Sequence, residues 1–484
     1  MNEVPSKKLP GPVTSKLSRR KFLKSASALS LVAGAPMIVP RHVLGGAGFV
    51  PPSEMLNIAL VGAGGRGRHL FEDLIKNQIR DARVIAICDV VDRVDYSKFY
   101  YRSVAGRLPM LELIDKHYGD AKTGGENTGV KAYVDFREML EKEKAIDAVM
   151  VATPDHTHAV ISLAAIRLGK HVYCEKPLAH SLEEVRKMTE EASRYKVATQ
   201  MGNQANSNEG IRQICEWVWD GAIGAVREAH AWSDTGGWAA QYTDRPADTP
   251  PVPPGLNWDL WLGPAKERPY HPAYVPFNWR GWWDFGGGAV GDHCCHVVDP
   301  IFAALKLMHP LTIEASSAPV NKETVTNGAM ITYKFPARGE MPPLKLTWYD
   351  TGLVPPVPEE LKPGEKLGPH GVLLVGDKGK LLAGGWGRDP RLIPEERMNA
   401  YKQPPKTLRR VSSHDRAWID ACKGGPAASS NFDYGGPLTN LALLGIVAIR
   451  SGEKLHWDGP NLRVTNSANA QELVKANFRS GWTL

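Results

Sequence analysis

Two rhythms of apolar residues divide the chain. Between residues 54 and 202, short unbroken apolar runs alternate with stretches whose apolar residues recur at helical spacing. That alternation is the pattern of a parallel sheet with crossover helices on both faces. Strands are predicted at Leu56–Val61, Val84–Cys88, Ile146–Ala152, His171–Cys174 and Val197–Met201. A helix pattern from His69, with Leu70, Leu74 and Ile75 on one face, follows the first strand. Another, from Ala159 to Leu168, ends at Gly169. Tyr96–Tyr101 and Leu108–Tyr118 interrupt the rhythm and read as helical inserts. After residue 310 the pattern turns to β, with strands predicted at Leu311–Val320, Gly328–Phe335, Leu344–Tyr349 and Gly371–Leu382. A loop insert is expected at Leu353–Pro369, and helices at His414–Cys422 and Leu438–Arg450. The fold class is therefore α/β, with a doubly wound domain over 54–202 and a second α/β domain over 203–484.

Charge changes the picture at one place only. Residues 1–43 hold eight basic residues and one acid, which accounts for the whole formal excess of +7. The remainder is near neutral and has no basic stripe, so nucleic acid is not an expected partner. Within that first segment, Arg19-Arg20-Lys21-Phe22-Leu23-Lys24 precedes an apolar run, Ala26–Val39, of 14 residues broken by Gly34 and Pro36. The run is shorter than the ~20 residues of a spanning helix. The paired arginines closely resemble a twin-arginine export signal, so residues 1–43 are expected to be a signal peptide and arm read by the export machinery. The protein is then expected in the periplasm, with no membrane span in its mature part. Twin-arginine export carries folded proteins, which suits one that loads a cofactor beforehand. The six cysteines match neither a disulfide framework nor a zinc motif.

The glycines after the first strand carry the first chemistry. Gly62-x-Gly64-Gly65-Arg66-Gly67 lies between a strand and a helix, where the motif has a mechanism. Gly62 permits the tight turn, Gly64 lets the backbone approach a pyrophosphate, and Gly67 lets helix pack on strand. The helix N-terminus faces the phosphates. The second strand ends at Asp89, about 20 residues on, where an acid binds the adenosine ribose hydroxyls and repels a 2′-phosphate. The expected cofactor is NAD, on a Rossmann domain.

Two polar clusters end the next strands, where ligands of such sheets bind. They are Thr153-Pro154-Asp155-His156-Thr157-His158 and Glu175-Lys176-Pro177. With Gly62–Gly67, Gly169-Lys170-His171 and, further on, Gly286-Gly287-Gly288 followed by Asp292-x-x-x-His296-x-x-Asp299, these segments resemble the Gfo/Idh/MocA family. That family includes glucose–fructose oxidoreductase and inositol dehydrogenase. The resemblance implies an open, mostly antiparallel sheet in the second domain, whose outer face makes oligomers, so a homo-oligomer is expected. It implies Lys176, Asp292 and His296 as the catalytic group. It further implies that Gly62, Gly64, Gly65, Arg66, Gly67, Asp89, Thr153, Pro154, Asp155, His158, Glu175, Lys176, Gln204, Trp279 and Arg280 bind the cofactor.

The residue types suit that chemistry. Oxidising a sugar hydroxyl moves a hydride to the nicotinamide and a proton to a base, and histidine is the side chain that ionises nearest neutrality. His296 is expected as the base, with Asp292 orienting it or holding a neighbouring hydroxyl. Lys176 is expected to hydrogen-bond the reacting oxygen. Asp292 and His296 lie four apart, on one helix face. Nine of the 14 tryptophans fall between Trp217 and Trp283, several in a long loop from Asp234 to Gly288. Rings there suit a sugar's apolar faces, although most, including Trp258 and Trp261, are expected to anchor the loop. Substrate contacts are expected from Lys176, Asn203, Trp238, Arg280, Asp292, His293 and His296. No metal site is expected. The sequence thus predicts an NAD-dependent oxidoreductase of a sugar, glycoside or polyol. An NAD-using glycosidase acting by transient oxidation, and a non-catalytic sugar-binding protein, stand as alternatives.

Overall fold

The computed structural model describes residues 50–120 and 129–484. The twin-arginine segment lies outside the described residues. Residues Met55–Leu484 pack as one unit around two sheets.

The first sheet comprises β1 (Leu56–Val61), β2 (Ala82–Cys88), β5 (Lys131–Tyr133), β6 (Ala148–Val151), β7 (His171–Cys174) and β8 (Thr199–Met201), with a small hairpin of β3 (Val94–Asp95) and β4 (Val104–Ala105) beside it. The order is β5-β2-β1-β6-β7-β8 and every pairing is parallel. This is the Rossmann order, with its switch point beside β1. Helix α1 (Gly65–Lys76) begins inside the glycine motif, one turn earlier than the hydrophobic pattern marks it. Helices α2 (His158–Arg167) and α3 (Leu182–Tyr195) pack on the sheet, α3 opening with a capping box between Ser181 and Glu184. Of the inserts, residues 107–120 are helical, but Tyr96–Tyr101 are the loop of the β3–β4 hairpin. Their aromatic rings pack against one another and against Phe277 instead of forming a helical stripe.

After α4 (Glu209–Trp219) the chain enters the second sheet. Its strands are β9 (Val226–Ser233), β10 (Thr312–Ser317), β11 (Ala329–Phe335), β12 (Leu344–Asp350), β13 (His370–Gly376), β14 (Gly379–Gly384), β15 (Arg388–Ile393), β16 (Leu455–Asp458) and β17 (Arg463–Val464). The order is β15-β14-β13-β9-β12-β11-β10-β16-β17, antiparallel except for β9 against β12. The predicted strand Gly371–Leu382 is two strands folded about Asp377-Lys378. Leu361 and Leu367 of the 353–369 insert pack on the outer face with Trp232, Tyr349 and Leu373.

Helix α5 (Gly288–Val297) runs between the sheets, and α6 (Phe432–Ser451) packs against it. Helix α6 is long and apolar enough to cross a bilayer, but most of its surface is buried in the protein, as a core helix. The sequence boundary at 202/203 does not divide the cores. Trp418 and Ile419, in the returning helix His414–Cys422, join the first domain's core with Leu60, Ile87 and Tyr173.

Candidate active site

A cleft of about 1570 Å³ opens at the carboxyl ends of β1, β2, β6 and β7. Helix α5, the segment Thr235–Trp238 that follows β9 and the turn between β14 and β15 form its other wall.

Backbone sterics build the cofactor end. Gly62 has φ +90°, and a Cβ there would lie 2.6 Å from the Ala152 carbonyl. A Cβ on Gly67 would lie 1.8 Å from the Gly62 oxygen, so α1 can leave β1 at this angle only with glycine. Gly64 and Gly65 are kept bare for a different reason. The Tyr96 hydroxyl and the Tyr101 ring stand 2.9 and 2.3 Å from where their Cβ atoms would be. The hairpin insert, given no role by the sequence, therefore faces the glycine loop. Asp89 accepts hydrogen bonds from the amides of Ala63 (2.6 Å) and Val91 (2.8 Å). Burial nevertheless pushes its carboxyl up to about 6.

Arg66 Nε donates to Glu175 at 2.8 Å, while its Nη2 is buried without a partner. Gln204 Nε2 also donates to Glu175 (2.9 Å) and to the Tyr173 hydroxyl (2.7 Å). Glu175 and Gln204 thus fix the arginine beside the glycine loop. An orphaned guanidinium nitrogen, a bare glycine turn at a helix N-terminus and an acid at the end of β2 fit a dinucleotide. This is a NAD-binding Rossmann domain.

The middle of the cleft comes from the loops after β6 and β7. Thr153, Pro154 and Asp155 line it. Burial pushes the Asp155 carboxyl up to about 7 against the pull of Lys176. His158 has a different part: its ring nitrogens lie 2.7 and 2.8 Å from the carbonyl oxygens of Pro177 and Thr153. It is buried at the cleft wall between the two loops, with both ring nitrogens taken up by their carbonyls. Bridging the loops in this way sets where the neighbouring Lys176 points.

Lys176 Nζ donates to Asp292 Oδ1 at 2.7 Å, and Arg280 Nε donates to the same oxygen at 3.3 Å. Burial opposes each of these charges, but the pairing wins. The two cations hold the Asp292 carboxyl well below the usual carboxylate range, and Lys176 stays protonated. The Arg280 guanidinium lies over the rings of Phe277 (4.2 Å) and Trp279 (4.3 Å) and donates to the Tyr101 hydroxyl at 3.3 Å.

His296 lies one turn beyond Asp292 on α5 and lines the same cleft. Its Nδ1 is buried with no partner, and burial together with Lys176 drives its pKa well below 6.5, so the ring is neutral at physiological pH. The expectation that Asp292 orients His296 is corrected here. Asp292 spends its oxygens on Lys176, Arg280 and, at 3.5 Å, His293. His293 Nδ1 is 2.8 Å from the Ser233 hydroxyl, which is 3.0 Å from His370 Nδ1.

Trp238 lines the rim of the cleft, whereas Trp258 and Trp261 stack at 4.7 Å in the loop's own small core, as anchors. Asn203 is not a substrate ligand. Its side chain donates to Asp299 at 2.9 Å, accepts from Ser430 and is fully buried. Asp299 is likewise held inside the core, by Asn203, Asn206 and Tyr434. Four cleft residues, Tyr96, Tyr101, His370 and Trp386, went unread in the sequence, as did the buried Ser233 behind His293. The run Tyr96–Tyr101, with four aromatics in six residues, carried the one available signal.

Models of the oxidoreductase family Gfo/Idh/MocA match the chain twice in tandem: the NAD-binding Rossmann fold over residues 97–203 and the C-terminal alpha/beta domain over 210–341. The chain is thus built on the two-domain plan of the Gfo/Idh/MocA oxidoreductases. The first match begins beyond the glycine motif, inside the hairpin insert that follows β2 in the chain. The chain is 27% identical over 212 residues to a 1,5-anhydro-D-fructose reductase of Ensifer adhaerens, covering 43% of this chain and 52% of that protein. It is 29% identical over 182 residues to a glycosyl hydrolase family 109 protein of Shewanella amazonensis, covering 35% of each. The matched stretches span about half or less of these relatives' length. In fold it is similar to the WlbA dehydrogenase of Bordetella pertussis, solved with NADH and UDP-GlcNAcA, with a TM-score of 0.56 and 17% identity over 84% of this chain and 99% of that one.

Proposed function

We propose that the protein is an NAD-dependent oxidoreductase that acts on a secondary hydroxyl or keto group of a sugar, glycoside or polyol. One observation carries the reading: an unpartnered neutral imidazole, His296, and a protonated lysine, Lys176, face the cleft that holds the dinucleotide loop. NAD bound there supplies the hydride acceptor. Lys176 donates a hydrogen bond to the reacting oxygen and stabilises the negative charge that develops on it. Asp292 and Arg280 hold the lysine in place and keep it charged. His296 takes the hydroxyl proton; with its pKa depressed, it is free to do so throughout the neutral range. His158 and Glu175 position Lys176 and Arg66 without touching the substrate.

The similarity to a glycosyl hydrolase family 109 protein supports a second reading, in which the same oxidation is transient and ends in cleavage of a glycosidic bond. NADH absorbance and released sugar, followed together on a panel of methyl glycosides and cyclitols, separate the two. Net NADH supports the oxidoreductase, sugar release without net NADH supports the hydrolase, and neither product sinks both. We further propose that the chain is exported by the twin-arginine route, from Arg19-Arg20 and the short apolar run behind them. An Arg19→Lys, Arg20→Lys variant that still reached the periplasm would overturn that. A homo-oligomer through the outer face of the second sheet, part of which the 353–369 insert covers, completes the proposal, and light scattering of the purified protein tests it.

A further inference from the structure

Across the cleft from the glycine loop, the turn between β14 and β15 reads Gly385-Trp386-Gly387. Trp386 has φ 63° and ψ 20°, in the left-handed region that a bulky side chain rarely adopts. The turn is held in that shape from outside. A Cβ on Gly210 would lie 2.0 Å from the Gly387 oxygen, one on Gly387 would lie 2.9 Å from Ile211, and one on Gly385 would lie 2.6 Å from the His370 side chain. Three close approaches on glycine press the indole toward the cleft. Its ring centroid is 5.2 Å from that of His370, 5.7 Å from His293 and 6.0 Å from His296. Among the described residues the indole N–H has no hydrogen-bond partner. Strained backbone of this kind persists where the surroundings over-determine it, and it concentrates at ligand sites.

We propose that Trp386 is the substrate platform: the apolar C–H face of a pyranose ring lies on its indole, with the reacting hydroxyl turned toward His296 and Lys176. Part of the indole packs on the main core, which fixes its angle. The rest lines the cleft beside Arg388, whose guanidinium lies 5.4 Å from the ring. A flat aromatic surface next to neutral histidines and an unused N–H donor matches the mixed apolar and polar character of a sugar. The assignment rests on the sugar oxidoreductase reading, and it makes Trp386 a residue that sets specificity without sharing in the proton transfer.

The test uses the NAD-loaded protein with methyl β-D-glucopyranoside and methyl β-D-galactopyranoside as probes, binding being read by calorimetry and oxidation by NADH absorbance. Asparagine tolerates the left-handed region, so Trp386→Asn removes the ring while suiting the turn, and Trp386→Phe keeps a ring. We expect Trp386→Asn to weaken sugar binding about tenfold or more, the loss of a desolvated stacking surface, with NAD affinity unchanged. Trp386→Phe should retain most of the affinity. Sugar binding by Trp386→Asn equal to wild type, an equal loss in both variants, or failure of Trp386→Asn to fold would overturn the proposal; so would the absence of saturable binding of either sugar to the wild type. Trp386-dependent binding without NADH formation would leave the platform standing and sink the oxidoreductase. NADH formation that ignores Trp386 would do the reverse.

Discussion

The two ends of the cleft are made of different material. At the cofactor end, backbone does the work: a glycine loop of contiguous sequence, a helix start and one acid, all within 34 residues of Leu56. At the substrate end, side chains do it, and they arrive from β7, α5, the segment after β9 and the β14–β15 turn. A backbone site tolerates no added atom but needs little else. A side-chain site depends on ion pairs and clamps that have no trace in local sequence. The difference teaches where damage should show: at the cofactor end as lost binding and stability, at the substrate end as lost turnover in an intact protein.

The largest effect is expected at Lys176. Lys176→Ala removes the donor to the reacting oxygen and leaves Asp292 with Arg280 and His293. We expect kcat to fall by roughly 10²–10⁴-fold, with NAD affinity unchanged within a few-fold. Steady-state kinetics and a cofactor titration on one preparation check it. The opposite signature is expected at Gly67, where a methyl group would meet the Gly62 oxygen at 1.8 Å. Gly67→Ala should cost about 1–3 kcal/mol of stability and abolish NAD binding, read by thermal unfolding with and without cofactor.

Asp89 sharpens the comparison through pH. Its carboxyl is pushed up to about 6 by burial, so the ionised form that would accept ribose hydroxyls is complete only above that. NAD affinity should weaken as pH falls through 6. The stability contribution has the opposite sign, being present below the usual carboxylate range and lost as pH rises through 6. Asp89→Ala should cut the preference for NAD over NADP by about tenfold or more, an effect of the order of one buried hydrogen bond to charge, measured as the ratio of the two affinities.

The smallest functional effect is expected at Asn203. Removing a fully buried amide that serves Asp299 and Ser430 should cost about 1–3 kcal/mol of stability and leave KM for sugar unchanged. A raised KM with normal stability would restore Asn203 to the substrate site.

These residues also mark what the sequence could tell. The glycine loop, Asp89, Lys176 and the Asp292/His296 pair were legible because each lies at a strand end or on one helix face, where local pattern fixes position. The parallel sheet was legible for the same reason. Asn203 misled because polar residues after a strand read alike whether they face a ligand or a buried aspartate 96 residues away. The link from Asp292 to His296 failed because spacing reports a shared face, not a partner, and the partner came from Lys176, 116 residues upstream. Trp386 was invisible: its place depends on glycines at 210, 385 and 387 meeting in space. The hairpin at 94–105 read as helix because its aromatics pack on Phe277 and the glycine loop, contacts outside any window of local sequence.

The central claim, that His296 is the proton acceptor in a cleft whose cofactor is held by other residues, is tested most directly by single-turnover reduction of bound NAD across pH, in wild type and His296→Ala. Burial and Lys176 hold the imidazole pKa well below 6.5, so the wild-type rate should be flat between about pH 6 and 8 and fall only toward acid. His296→Ala should be slower by roughly 10²–10⁴-fold and lack the acid limb, with NAD bound as in the wild type. A His296→Ala protein that keeps the wild-type rate, or one whose lost turnover follows lost NAD binding, would contradict the claim.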